Sequence, residues 1–325
     1  MFVSNERKNV IPKGRFAGRA TAHAHIATLV LGGILAATLL GAQALVSVRE
    51  GNIQARENGA KIIKEIESQG LSSYLGLEPI TRYYLLEENG QLTGYAILSL
   101  QTRQNLNSSL IFQGQEVYYY PAKGLRKISS IVASNHLKNF SLQEKIEHQK
   151  KNFFMSINQQ FDDGQLKMQF YNTYGMHPPR TWKINQDYFI PSPLLDVISS
   201  VATTGDRNKK GVIFALADIS LWEDRSGTIL TECLVKPGGQ VTPEIKAKAP
   251  GGHSVTVEWL GQERSQIIYY DSQHQLLWQE SRFGSETSII RAVSREELEK
   301  AFPQSAEDLE NYLPVDTNEE KSAVL

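Results

Sequence analysis

Apolar and polar positions follow three patterns along the chain. The first is a run of 23 residues, Ile26 to Val48, with no charge in it. As a helix it would span about 34 Å, enough for a hydrocarbon core of about 30 Å. The second, over 49–70, places Ile53, Ala60, Ile62, Ile63 and Ile66 on a narrow apolar stripe and stops at Gly70, which predicts a juxtamembrane helix. The third begins at Tyr83, where the period falls to two. Tyr83–Glu88 and Gln91–Gln101 flank Asn89-Gly90, the strongest short hairpin signal.

Further strands are predicted at Ser109–Phe112 and Glu116–Tyr120, around a Gln113-Gly114-Gln115 turn, and at Leu125–Ser134, Phe140–Gln149, Phe153–Phe161 and Gln165–Tyr171. The pattern pauses over 175–211. There Pro191-Ser192-Pro193 predicts a helix start with Ser192 as cap, followed by an apolar face of Leu194, Leu195, Val197, Ile198 and Val201. Strands resume at Val212–Asp218, Thr228–Val235, Val241–Ala247, Val255–Leu260, Ile267–Asp271, Leu276–Phe283 and Thr287–Val293. Ser294 and Glu297 have capping-box spacing, a short helical stretch is predicted from Ser305 to Tyr312, and 313–325 is an acidic tail. Turns every 8 to 12 residues favour antiparallel pairing over βαβ units. The fold expected is mainly β: an N-terminal transmembrane helix, then a large antiparallel sheet or half-barrel over 71–312 with a few short helices. Glu88-Asn-Gly-Gln-Leu92, Asp162-Asp-Gly-Gln-Leu166 and Asp271-Ser-Gln-His-Gln-Leu276 echo one another, so two similar halves meeting near 175–211 are an alternative.

Charge gives the apolar run a direction. The leader, 1–25, carries five Lys/Arg against Glu6 alone, and the rest of the chain carries 29 against 34 acids. A basic leader holds the N-terminus in the cytoplasm and sends the remainder across the membrane. The run then serves either as a retained single-pass signal anchor over 26–48 or as a cleavable signal peptide ending at Ala42-Gln43-Ala44. Either way the β domain is expected to be periplasmic or extracellular. Its acidic balance offers no footprint for nucleic acid. One cysteine, Cys233, excludes an internal disulfide and reads as a small apolar strand residue.

Catalytic patterns are missing. The histidines show no metal-ligand spacing, and no Rossmann fingerprint, P-loop or G-x-S-x-G elbow occurs, so neither a cofactor nor a metal is expected and the protein is not read as an enzyme. The acid pairs Asp162-Asp163 and Glu223-Asp224 sit at turn positions, where acids solvate and cap. Aromatics are the remaining lead. Adjacent strand residues point to opposite faces, so paired aromatics put bulk on both sides of the sheet. One product of that would be an apolar groove lined by Tyr119, Phe154, Tyr188, Trp259, Tyr270 and Trp278.

Long antiparallel strands, a mid-chain helix after Pro191-Ser-Pro193, and a return through Tyr269-Tyr-Asp-Ser-Gln-His-Gln-Leu-Leu-Trp-Gln-Glu280 resemble the periplasmic lipoprotein-carrier half-barrels and their relatives. The resemblance covers about 80 to 293 and implies a curved sheet that holds acyl chains; it transfers no functional residue. The expected function is therefore a non-catalytic, membrane-anchored binding module for lipid or lipoprotein. The alternative is a structural subunit that meets an envelope protein partner, and a hydrolase ranks last.

Overall fold

The structure is a computed structural model that describes residues 51–104, 109–184, 187–204, 211–217 and 230–305. The apolar run over 26–48, the basic leader, most of the expected Ser305–Tyr312 helix and the acidic tail lie outside these residues. No helix among the described residues is long and apolar enough to cross a membrane. The chain divides into two units, 1–54 and 55–325. Residues 51–54 of the first are helical, and the second opens with helix α1 (55–69) and a short α2 (Ser72–Leu75).

Among the described residues fifteen strands follow, all in one antiparallel sheet. They are β1 (Ile80–Glu88), β2 (Gln91–Gln104), β3 (Leu110–Tyr120), β4 (Leu125–Ser134), β5 (Phe140–His148), β6 (Phe153–Asp162), β7 (Gln165–Asn172), β8 (Gly175–Met176), β9 (Arg180–Lys183), β10 (Val212–Ala217), β11 (Leu230–Pro237), β12 (His253–Trp259), β13 (Arg264–Tyr270), β14 (Leu276–Phe283) and β15 (Glu286–Val293). Three more helices are α3 (Leu195–Ala202), α4 (Pro243–Lys248) and α5 (Arg295–Ala301). The sheet runs from β10 to β15, then from β1 to β8, with β9 also pairing β7. Its seam is β15 against β1, Tyr83 opposite Val293 through Glu88 opposite Ser288. Strands before and after 184–211 thus share one sheet.

Turn chemistry accounts for the hairpins. Asn89-Gly90 and Asp163-Gly164 both place two consecutive residues at positive φ, the twist that two-residue hairpins need. Three local expectations are corrected. Gly114 lies inside β3 and not in a turn: its bare Cα lets Ile131 and Leu100 pack where a side chain would stand. Val241–Ala247 is not a strand but leads into α4, because Pro243 fixes φ at the first helical position and lacks the N–H a strand would use. Ser192 makes no capping bond; a single 3₁₀ turn, Ser192–Leu194, leads into α3 instead. The Ser294–Glu297 capping box at α5 forms as expected.

Among the described residues the sheet's two ends do not bond each other. Instead residues 188–190 pair parallel with the free edge of β10, Ile190 N–H donating to Ala215 O and Ala215 N–H to Tyr188 O. Phe189 then packs on Phe161 and Phe140 of β6 and β5, with ring centroids 5.0 and 5.7 Å away. Helix α1 spans the same gap. The Asn58 side chain donates to Gly211 O, and Arg56 meets Glu232 through two bonds of 2.7 and 2.5 Å. At the other end of α1, the β4–β5 turn receives the chain: Leu71 N–H donates to Asn135 O and Ser72 N–H to Asn135 Oδ1. Residues of β5 and of β11, far apart in the sheet order, line one cavity, so the sheet is rolled into a β-barrel-like form.

The inward rows change character along their length. On β3 the row reads Phe112, Gly114, Glu116, Tyr118; on β4, Ala133, Ile131, Ser129, Lys127; on β5, Phe140, Leu142, Glu144; on β13, Tyr270, Ile268, Gln266, Arg264. The apolar ends pack with α1 and α3 into the main core, to which Leu194, Ile198, Phe214 and Cys233 belong. Cys233 is fully buried, and burial pushes its thiol up to about 12, as its reading as a core residue requires. The polar ends are left facing one another.

Helix α1 approaches β10 at Gly59, where a methyl group would collide with the Ile213 carbonyl oxygen. On intrinsic propensity Gly59→Ala would stabilise a helix by about 1 kcal/mol. The expected outcome is the reverse, a loss of about 1–3 kcal/mol from overpacking, read as a lower urea midpoint.

Candidate functional site

The polar ends of the inward rows enclose a cavity of about 330 Å³. It adjoins a larger one of about 810 Å³ that opens past Asn89, Lys123, Gln262 and Phe283 at the hairpin turns. Glu116, Tyr118, Lys127, Arg264, Gln266 and Gln279 line both. Asp196 enters from the first turn of α3, beside Leu195, which belongs to both the cavity wall and the main core.

Register sets the spacing of the acids. Glu116 is opposite Ser129, and Ser129 is opposite Glu144, so the two carboxylates flank one small residue on neighbouring strands. Lys127 Nζ lies 3.1 Å from Glu144 Oε1, which also accepts a bond of 3.4 Å from Ser129 Oγ. Glu144 Oε2 has no partner. Gln266 Oε1 and Gln279 Oε1 also have none, though both residues are more than nine-tenths buried; Gln279 Nε2 donates to Ser281 Oγ. The Arg264 guanidinium stacks over the Trp259 ring at 4.0 Å.

These surroundings move the titrations. Enclosure by protein pushes the Glu116 carboxyl up to about 8, with Lys127 working against the shift and Asp196 and Glu144 adding to it. Burial takes Asp196 up to about 6, opposed by Arg264. Burial also pulls the Lys127 ammonium down, and Glu144 and Glu116 more than offset it, so it stays above its ordinary value. The neighbouring Glu116 charge, then burial, raise the Tyr118 hydroxyl.

A second cluster joins α3 to two turns. Ser200 Oγ lies 3.0 Å from His253 Nε2 and 2.9 Å from His274 Nδ1. One hydroxyl can donate to one ring and accept from the other. The grouping superficially resembles a serine nucleophile with its base. However, Ser200 has no exposed surface, so no substrate reaches it. The cluster is a polar latch that holds α3 in the barrel, aided by Tyr270, whose hydroxyl donates to Asp196 O at 2.8 Å. Burial lowers both histidines, and their mutual repulsion lowers His253 further.

The six aromatics proposed for a groove do not come together. Tyr119 is on the outer face, edge-on to Tyr95 at 5.6 Å beneath α5. Trp278 is also outside, under the α4 segment with Val241 and Tyr269. Phe154 sits on β6 with Lys145 Nζ 5.4 Å from its ring centroid, and Tyr188 donates to Glu232 at 2.8 Å near the barrel gap. Trp259 alone of the six lines the 330 Å³ cavity; Tyr270, fully buried, borders a recess of about 50 Å³ beside α3. Aromatic pairs mark strands, but half of each pair must face outward. The residues missed were Glu116, Lys127, Glu144, Arg264, Gln266 and Gln279. For four of them a signal was available: Glu116, Lys127, Glu144 and Gln266 are in phase with apolar residues two and four positions along their strands, where a solvated polar group should be out of phase.

Fold and cavity together define a β-barrel-like protein with a polar cavity inside the rolled sheet. No protein-family profile and no curated protein matches the sequence. Among solved structures, it is similar to a β-barrel-like protein of the domain of unknown function DUF1849 from Brucella abortus, at 14% identity and a TM-score of 0.46, over 67% of this chain and 97% of that one.

Two stability measurements probe the interior. Glu116 has a folded pKa above its unfolded value, so it favours the fold at low pH, and that contribution is lost as pH rises to about 8. Glu116→Gln is expected to melt higher than the parent protein, by a margin that opens between about pH 4.5 and 8 and then stays constant. The histidines act in the opposite sense. Their folded pKa values lie below the unfolded value of about 6.5, so their contribution is present above that pH and lost as pH falls below it. The melting temperature of the parent should drop on acidification, and His274→Gln should flatten the drop.

Proposed function

We propose that the rolled sheet is a non-catalytic binding module whose interior receives a small polar or charged ligand through the mouth beside the hairpin turns. The observation that supports this is the set of buried side-chain atoms without partners on the cavity wall, Glu144 Oε2, Gln266 Oε1 and Gln279 Oε1. Buried polar groups are nearly always paired, because leaving one unpaired costs about 1–3 kcal/mol. Three such atoms on residues that line one cavity support a polar ligand there. The lining also argues against the acyl chain implied by a lipoprotein carrier. Charged groups surround the roomy cavities, and the apolar recess near Leu75, Ile80 and Leu98 holds only about 50 Å³. Among the described residues the contact of Ser200 with His253 and His274 is sealed, so it offers no nucleophile to a substrate.

Export and anchoring through 26–48 belong to the same proposal and rest on the uncharged run and the basic leader. They place the module in the envelope, facing away from the cytoplasm, where it would sample small molecules or meet a protein partner. N-terminal sequencing of the mature chain discriminates the two forms: a start at Leu45 means a removed signal peptide, and an intact leader in the membrane fraction means an anchor.

The double variant Gln266→Leu/Gln279→Leu tests the binding reading. It replaces two amides that have unpaired atoms by groups of similar size, so the empty protein should melt at the same temperature or higher. Native mass spectrometry of the full chain purified without lipid should find a small polar mass on the parent protein and none on the variant. An empty mass for both, with no stabilisation by any polar compound, would overturn the reading.

A further inference from the structure

The interior's unmet hydrogen-bonding capacity has a sign. Of its cations, Lys127 lies 3.1 Å from Glu144 Oε1, and the Arg264 guanidinium covers Trp259. Among the described residues Glu116 makes no hydrogen bond or ion pair, the Asp196 carboxylate accepts no hydrogen bond, and Glu144 keeps one oxygen free. Gln266 and Gln279 add two more oxygens without donors. An amide can exchange its oxygen and nitrogen by rotation, but a carboxylate accepts in every orientation once ionised. The buried unpaired atoms of this wall are therefore all oxygens, and the three carboxyl groups add acceptors once ionised.

No three acid, histidine or cysteine side chains among the described residues group closely enough to hold one metal ion. The acids are instead spread over β3, β5 and α3 around about 330 Å³. That is room for a molecule, not an ion. We propose that this cavity binds an organic cation, a compact molecule with one or more primary ammonium groups seated between Glu116, Glu144 and Asp196. An ammonium carries three donors and can satisfy three acceptors that surround it. This rests on the reading of the interior as a ligand site and specifies the chemistry of its ligand.

The groups facing Glu116 then give a dependence on pH. They are Lys127 of β4, Glu144 of β5, Asp196 of α3, Arg264 of β13, Tyr118 of β3, and Arg82 and Tyr84 of β1. In the empty protein Glu116 is held protonated near neutrality, and the two tyrosines are held neutral. An entering ammonium draws out the carboxylate, and the proton leaves to solvent. Affinity should therefore rise from neutral pH until Glu116 is ionised without help, at about 8.

The experiment uses three probes of equal chain length on the full protein: putrescine, butanediol and succinate, titrated by calorimetry. Putrescine is expected to bind, with proton release at neutral pH measurable in buffers of different ionisation heat; butanediol and succinate are expected not to. Glu116→Gln should weaken putrescine at least about tenfold, the loss of one charge-assisted bond. If that variant fails to fold, Asp196→Asn carries the same expectation. Succinate binding more tightly than putrescine would overturn the cation and leave the interior a ligand site. Failure of putrescine alongside a co-purifying molecule without basic nitrogen would do the same. Failure of all three with an empty native mass would overturn both readings, and unchanged putrescine affinity in the variants would overturn the assignment to these carboxylates.

Discussion

A sheet that rolls up without bonding its own ends leaves two rows of backbone donors and acceptors at the gap, and the rest of this fold depends on covering them. The β10 edge takes one answer, a short parallel pairing with residues 188–190. Helix α1 supplies another, lying so close that only glycine fits at position 59. Both are carried by chain that comes before or between the strand runs. The connection from β9 to β10 carries both that pairing and α3, whose residues join the main core.

Once α3 is inside, the interior cannot be uniform. Seven of its eight residues are buried, so it needs apolar partners, and the rows on β3, β4, β5 and β13 provide them at one end. Beyond the helix the same rows carry Glu116, Lys127, Glu144, Gln266 and Arg264. Burial of charge at that end costs stability, as the upward shift of Glu116 to about 8 shows. A core that only had to be stable would fill those positions with leucine or valine. The polar half is the part of the molecule that folding does not explain.

Much of the architecture was legible from the chain. Alternation located nearly all the strands, Asn89-Gly90 and Asp163-Gly164 named their hairpins, and Ser294 with Glu297 announced α5. The misreadings have specific causes. Gly114 carries a turn residue's identity but serves close packing between strands, a fact that depends on Ile131 and Leu100 arriving from elsewhere. The stretch after Val241 alternates like a strand, yet Pro243 starts a helix. Sheet order was out of reach, because nothing local says that β15 will lie beside β1. The site was misjudged for a related reason: aromatics were taken as the lining, while the informative residues were charges in phase with apolar neighbours, and that phase gains meaning only once the inner face is known.

The seam between β15 and β1 also sets an order of events on the ribosome. Strand β1 is made roughly 200 residues before its partner is complete. At about 5–20 residues per second, that interval is on the order of 10–40 s. Throughout it the nascent chain can zip β1 to β7 into a growing meander, but the other side of Tyr83 to Glu88 stays open. An unpaired strand edge invites wrong partners. The last strand made is thus the one that closes the exposure, and a chain truncated just before Glu286 would keep most of its sheet while displaying a sticky edge at its centre.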